Sequence, residues 1–311
     1  MQKIICAEDD LKELDKYIME SHAKKLLLVC GSSIRFLKYD EYFNEMQERM
    51  GAEVVRFSGY TSNPQYEDVV KGVDEFKSEH CDMIVAVGGG SAMDVAKCIK
   101  LFSNMEMSSG GMTYLEQLIA PNDVKLVAIP TTAGTGSEAT HFAVIYYKGE
   151  KISVDDESCI PAAVVMDSSV LGALPVYQKK VTLLDALCHG VESYWSVNST
   201  KESKAYSKEA IKLILDNIDR YLDLDGSGFD GEKMKVSNHN NTDIGCKSDV
   251  NRNMLHASYL AGKAINITKT TVGHAMCYKL TTLYGIAHGH AAALCVSKLF
   301  PYMIGNTDDC I

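Results

Sequence analysis

Apolar residues fall into two rhythms along the chain, and the rhythm changes once. Leu26–Cys30 is a short unbroken apolar run ending at Gly31, the pattern of a strand buried on both faces. Tyr42, Phe43, Met46 and Met50 follow at helical spacing, and Glu53–Phe57 reads as a strand again. Val69, Val70, Val73 and Phe76 mark a helix, Met83–Val87 a strand running into three glycines, and Val124–Ile129 a strand stopped by Pro130. Phe142–Tyr147 and Lys151–Val154 predict a hairpin across Lys148-Gly149-Glu150, and Val164–Met166 a last short strand. Such strand–helix alternation predicts a parallel, doubly wound sheet.

Beyond Pro175 only the helical period remains: Ile211, Ile214, Leu215, Ile218 and Leu222, then Met254, Ser258, Ala261 and Ile265. A domain boundary is therefore expected near residue 175, between an α/β domain over 1–175 and a helical domain over 176–311. Gly226, Gly228 and the polar run Ser237–Thr242 predict a surface loop. The 311 residues suit one large or two ordinary domains. Lys and Arg number 31 against 41 Asp and Glu, a formal charge of −10 that argues against nucleic acid or an anionic membrane as partner. Ten cysteines occur with no C-x-x-C pair and most within apolar runs, which points to a reducing cytoplasm rather than a zinc knuckle. No apolar stretch reaches membrane-spanning length.

Four motifs carry candidate chemistry. Gly88-Gly89-Gly90-Ser91-Ala92-Met93-Asp94 lies where a strand passes into a helix, where backbone N–H groups and the helix dipole suit a phosphate. Ser91 and Asp94 also have the S-x-x-D form of a capping box, so a capped structural turn is the competing reading. Pro130–Glu138 packs Thr131, Thr132, Thr135 and Ser137 with two glycines after another strand, where open α/β sheets bind ligands. Asp185 and His189 stand at i and i+4 on one helix face, a spacing that serves a metal or a simple Asp–His hydrogen bond. His274 and His288 add two imidazoles in apolar helical segments, where burial is costly unless they are paired or metallated.

In this order the segments GGGSAMDVAK, PTTAGTGSEAT, LLDALCHGVES and GHAMCYKLTTLYGIAHGHAAAL resemble the iron-type (group III) alcohol dehydrogenases over nearly the whole chain. The resemblance implies an α/β dinucleotide-binding domain and an all-α metal-binding domain, the fold shared with dehydroquinate synthase. It implies Asp185, His189, His274 and His288 as ligands of one divalent metal, Fe²⁺ or Zn²⁺. Gly89, Gly90 and Ser91 would cradle the pyrophosphate, Thr131, Thr132 and Ser137 would line the ribose regions, and Lys151 would approach the cofactor. Gly31, Ser32, Gly88, Asp94 and Thr135 complete the expected cofactor-binding set. Two departures stand out. Tyr278 takes the place of a second histidine thought to aid proton transfer. The chain also stops short of the family's usual end, so the helical domain is expected to lack its last part.

Dinucleotide folds commonly place a carboxylate after a strand to accept the ribose 2′-OH. Here that place is Gly31-Ser32-Ser33, so NADPH is expected in preference to NADH. The run Lys263–His274 sets Lys269 among threonines five residues before a ligand. With Trp195–Thr200 and Ala261–Thr268 it looks like the phosphonoacetaldehyde reductase branch. A small aldehyde or alcohol is then the substrate, with a phosphonate-bearing aldehyde foremost, Lys269 meeting its anion and Tyr278 a candidate in proton transfer. A general short-chain alcohol dehydrogenase, a dehydroquinate-synthase-type lyase and a non-catalytic nucleotide-binding protein remain the alternatives. The resemblance also implies a homodimer, for which the short N-terminal strand is a candidate edge.

Overall fold

The computed structural model describes residues 2–7, 10–107, 112–222, 250–304 and 306, and the polar stretch with Gly226, Gly228 and Ser237–Thr242 lies outside them. The chain divides into two compact units, Met1–Ala173 and Leu174–Ile311.

In the first unit the strands are β1 (Lys3–Cys6), β2 (Lys25–Cys30), β3 (Glu53–Phe57), β4 (Met83–Gly88), β5 (Lys125–Pro130), β6 (Phe142–Tyr147), β7 (Glu150–Asp155) and β8 (Ala163–Met166). Six of them form one parallel sheet in the order β1-β8-β5-β4-β2-β3. The inner strands β2, β4 and β5 are almost wholly apolar because both faces are covered. β6 and β7 form the expected antiparallel hairpin as a separate sheet. From β2 the chain steps outward to β3, then returns to the other side of β2 with β4. The winding reverses there, so the switch point lies between the carboxyl ends of β2 and β4, where such sheets bind ligands. The N-terminal strand pairs inside the chain, Lys3 beside Ala163 through Cys6 beside Met166.

The helices of this unit are α1 (Lys12–Glu20), α2 (Lys38–Asn44), α3 (Met46–Met50), α4 (Tyr66–Ser78) and α5 (Gly90–Phe102). The single apolar period of Tyr42–Met50 is carried by two helices, broken at Glu45. α5 packs on β4 and β5, and also on α4 and β6, so it is buried all round. Its Lys97 is 0% exposed and donates to Ser137 Oγ (3.0 Å), Thr140 Oγ1 (2.9 Å) and Phe142 O (2.9 Å). Burial drives the Lys97 ammonium below the usual lysine range, with Asp94 opposing.

Glu138 is buried nearby with Oε1 lacking a hydrogen-bond partner, and burial pushes its carboxyl up to about 7. The folded state thus holds its proton after the unfolded chain has released one. Stability is full below the ordinary carboxylate range and falls as pH rises through about 7, by about 3 kcal/mol in all. Glu138→Gln, which cannot ionise, is expected to melt higher than the wild type at pH 8, with the gap closing by pH 4.5. A difference in Tm that does not change with pH would contradict this.

The second unit is helical among its described residues: α6 (Val176–Trp195), α7 (Lys201–Leu222), α8 (Val250–Thr268), α9 (Val272–Tyr284) and α10 (His288–Ile304). α6 packs against α7, α8 and α10, and α9 packs against α10. α6 and α10 meet at Gly289, where an added Cβ would fall 1.9 Å from Val181 O and 2.8 Å from Asp185 Cβ. No described helix is long and apolar enough to cross a membrane. Cys30, Cys81, Cys98, Cys159, Cys188, Cys277 and Cys295 are buried thiols. Cys6 is disulfide-bonded, so the reduced state expected of the cysteines does not extend to it.

Candidate metal centre and cofactor loops

Two loops follow the strands at and beside the switch point. β4 ends at Gly88, Gly89 is the N-cap of α5 and Gly90 its first residue. The capping-box reading is therefore corrected. Ser91 lies inside the helix and donates to Ser62 O (2.6 Å), while half-buried Asp94 accepts from Ser137 Oγ (2.8 Å). The three glycines carry no side-chain signal, so the helix begins earlier than the S-x-x-D pattern suggests. The second loop is laid on the first: Thr131 N donates to Gly88 O (3.0 Å), and Gly136, in the left-handed region, turns it into the 3-10 turn Ser137–Ala139. Asp94 and Lys97 both grip Ser137, which anchors this loop to α5. Lys97 escaped the reading of the sequence, since nothing local marks a helix as buried all round, and Glu138 was read only as the end of the threonine loop.

Glycine is needed here for close approach. A Cβ at Gly89 would meet Thr132 Oγ1 at 3.1 Å, and one at Gly90 would meet Thr135 Cγ2 at 2.8 Å. Gly31 and Ser32 stand just after β2 at the switch point, with Ser32 exposed, and Lys151 lies on β7. Gly89→Val is expected to weaken NADPH binding at least about tenfold through displacement of the threonine loop, with metal content retained. An unchanged NADPH affinity would reduce the glycine run to a turn.

In the second unit α6 presents Asp185 and His189, α9 presents His274, and His288 opens α10. His189, His274 and His288 set their Nε2 atoms 3.9, 3.5 and 3.7 Å from Asp185 Oδ1. Asp185, His274 and His288 each offer a ligand atom within 4.8 Å of the others. The His189 and His274 rings stack at 4.5 Å. Asp185 and His274 are nearly fully buried, yet Asp185 Oδ1 and His274 Nε2 make no hydrogen bond. Two such atoms facing each other are costly unless a cation lies between them.

The electrostatics are those of a cation site. Burial raises the Asp185 carboxyl, but the surrounding imidazoles outweigh it and hold the group well below the usual carboxylate range. Burial lowers His189 to about 4, so it is a neutral donor. Burial also opposes charge on His274, but Asp185 and Glu192 prevail and lift it to about 9. Two carboxylates against neutral or singly charged imidazoles match a divalent ion in charge. Nitrogen and oxygen donors suit Fe²⁺ or Zn²⁺. Burial pushes the nearby Cys188 thiol up, so it stays protonated.

Glu192 was not among the residues singled out from sequence, although it stands at i+7 from Asp185 on the same helix face. It is 0% exposed, and its Oε2 meets His274 Nδ1. Tyr278 is half-buried with its ring parallel to that of His288, centroids 6.0 Å apart. Lys269 is exposed just past the end of α8 with φ 59°, and Lys263 lies 3.9 Å over the Tyr206 ring.

Residues 1–168 match the model of the iron-containing alcohol dehydrogenases, and residues 180–309 match the Fe-containing alcohol dehydrogenase family, C-terminal. A 1,3-propanediol dehydrogenase of Citrobacter freundii is 32% identical over 92% of this chain and 70% of its own. A phosphonoacetaldehyde reductase of Streptomyces viridochromogenes is 30% identical over 73% of this chain and 55% of its own. The crystal structure of a 1,3-propanediol oxidoreductase superposes with a TM-score of 0.83 at 28% identity, covering 98% of this chain and 75% of that one. With the sheet domain matched by one model of the family and the helical domain by the other, the chain belongs to the iron-containing alcohol dehydrogenases, oxidoreductases that act on alcohols.

Proposed function

We propose that the protein is an NADPH-linked, metal-dependent reductase of a small anionic aldehyde, best served by phosphonoacetaldehyde, which it converts to 2-hydroxyethylphosphonate. The observation that carries the metal-dependent part is the pair of buried, unpartnered atoms Asp185 Oδ1 and His274 Nε2 facing each other at 3.5 Å. Asp185, His189, His274 and His288 would hold the ion, with Fe²⁺ the first choice. When bound, such an ion supplies a Lewis acid that polarises a carbonyl oxygen, and the nicotinamide supplies the hydride.

The chain's own residues do the rest. Asp185 gives the one anionic ligand, and its burial keeps water from competing for it. The glycine run and the threonine loop bring backbone N–H groups to the switch point for a pyrophosphate. The absence of a carboxylate at Gly31-Ser32-Ser33 supports NADPH. Tyr278, stacked on His288, offers a hydroxyl-bearing ring to move a proton. A cytoplasmic setting is supported by the seven buried thiols. A homodimer rests on the family likeness alone.

The anionic substrate is supported by Lys269, whose exposed ammonium lies five residues before His274, and by likeness to the Streptomyces reductase. Turnover of an aldehyde panel with NADPH and NADH, in Fe²⁺- and Zn²⁺-loaded enzyme, tests the whole reading. Lys269→Ala keeps the left-handed backbone equally strained and removes the ammonium with its methylene stem. It is expected to raise KM for phosphonoacetaldehyde at least about tenfold and to leave KM for propanal within about twofold. Equal effects on both, or better turnover of propanal by the wild type, would sink the anionic reading. A clear preference for NADH would sink the cofactor assignment.

A further inference from the structure

Glu192 is a carboxylate with no exposure, held between two elements of the metal-binding unit. Its two oxygens do different work. Oε1 accepts from the first backbone N–H groups of α9, at Thr271 (3.2 Å), Gly273 (2.9 Å) and His274 (3.3 Å), and from Thr271 Oγ1. These donors have no partner within the helix, and they lie at the positive end of its dipole. Oε2 meets Nδ1 of His274. Gly273 leaves the room for this, since a Cβ there would come 2.9 Å from Oε1 and 2.5 Å from Val296 Cγ2.

We propose that Glu192 is a positioning residue of the metal centre: it docks the start of α9 on α6 and holds the proton of His274 on Nδ1, leaving Nε2 bare toward Asp185. The inference rests on the metal reading of the site. A carboxylate can accept on both sides at once, which is what the two sets of donors require. An amide cannot. In Glu192→Gln, if the amide oxygen faces the α9 N–H groups, its NH₂ faces Nδ1 and favours the tautomer protonated on Nε2, the atom needed for the ion. In the reverse orientation the NH₂ faces the backbone donors and α9 loses its seat. His288 has a weaker neighbour at the matching atom, Cys277 Sγ at 3.6 Å from Nδ1.

The test compares Zn²⁺ affinity, by competition with a chelator, with the melting temperature of the metal-free protein. Glu192→Gln is expected to bind Zn²⁺ about tenfold to a hundredfold more weakly. Thr271→Val removes the hydroxyl's contacts to Glu192 Oε1 and to the Trp195 indole N–H but leaves Oε2 on His274, and should lower the metal-free melting temperature with Zn²⁺ affinity within about twofold of wild type. In the Zn²⁺-loaded wild type, the nitrogen resonances of His274 should show the proton on Nδ1 and the metal on Nε2. Wild-type affinity in Glu192→Gln would overturn the inference while the metal centre stood. So would an equal loss of affinity in Thr271→Val, or a metal on Nδ1 in the wild type, a measurement that needs no variant to fold. Failure of the wild type to bind Zn²⁺ or Fe²⁺ at all would instead overturn the metal reading, and this inference with it.

Discussion

Asp185→Ala and His274→Ala are expected to lose bound metal and turnover together, while NADPH still binds. Asp185 is the only carboxylate among the four expected ligands, and all three imidazoles set Nε2 within 3.9 Å of its Oδ1. Its removal leaves three imidazoles with no anionic ligand, and only Glu192, on the far side of the His274 ring, to balance a dication. His274 is the residue through which Glu192 acts, so its loss also strands a buried carboxylate. Removal of mere supporting partners commonly weakens a metal site tenfold to a hundredfold, so loss of a direct ligand should cost at least about a hundredfold in affinity. NADPH affinity, measured by fluorescence titration, should stay within about twofold, because the cofactor loops belong to the other unit. Full metal occupancy with normal turnover in either variant would refute the ligand assignment.

Gly289→Ala is expected to be nearly as damaging, although it alters no ligand. The methyl would be built 1.9 Å from Val181 O, a backbone atom that cannot swing aside, and 2.8 Å from Asp185 Cβ. α6 and α10 must separate to admit it, and they carry Asp185 and His288 respectively. Overpacking of this kind costs about 3 kcal/mol or more and should lower Tm by the order of 10 °C. Metal affinity should fall with it, because the two ligands are pulled apart. A variant with wild-type Tm and metal content would show that the crossing is looser than the geometry states.

The sheet was legible because its inner strands are buried on both faces and so read as unbroken apolar runs, as in Leu26–Cys30 and Met83–Val87. α1 was not, since only Leu14 and Ile18 of its nine residues face the core. The i, i+4 pair Asp185–His189 was visible as a helix face, but its meeting with His274 and His288 depends on how α9 and α10 pack, which no local pattern records. The family likeness supplied that link. Glu192 was within reach, since it continues the Asp185–His189 face by less than another turn. Its purpose shows only once the N-terminus of α9 is seen to rest on it. Lys97 could not be recognised as buried, because the hairpin that covers α5 begins forty-five residues later, at Phe142.

The pairing of β1 has a consequence for how the chain comes into being. Ile4 finds its partner at Val164, not on the strand that follows it in sequence. During synthesis the N-terminal strand therefore remains a bare edge until Met166 has been made, about 10–30 s at ordinary elongation rates. β2, β3, β4 and β5 can assemble in the meantime from neighbours made shortly after one another. The sheet is then completed from its far edge by the first and last of its strands together. This is the longest-range contact in the sheet and the one whose closure is slowest to be rewarded.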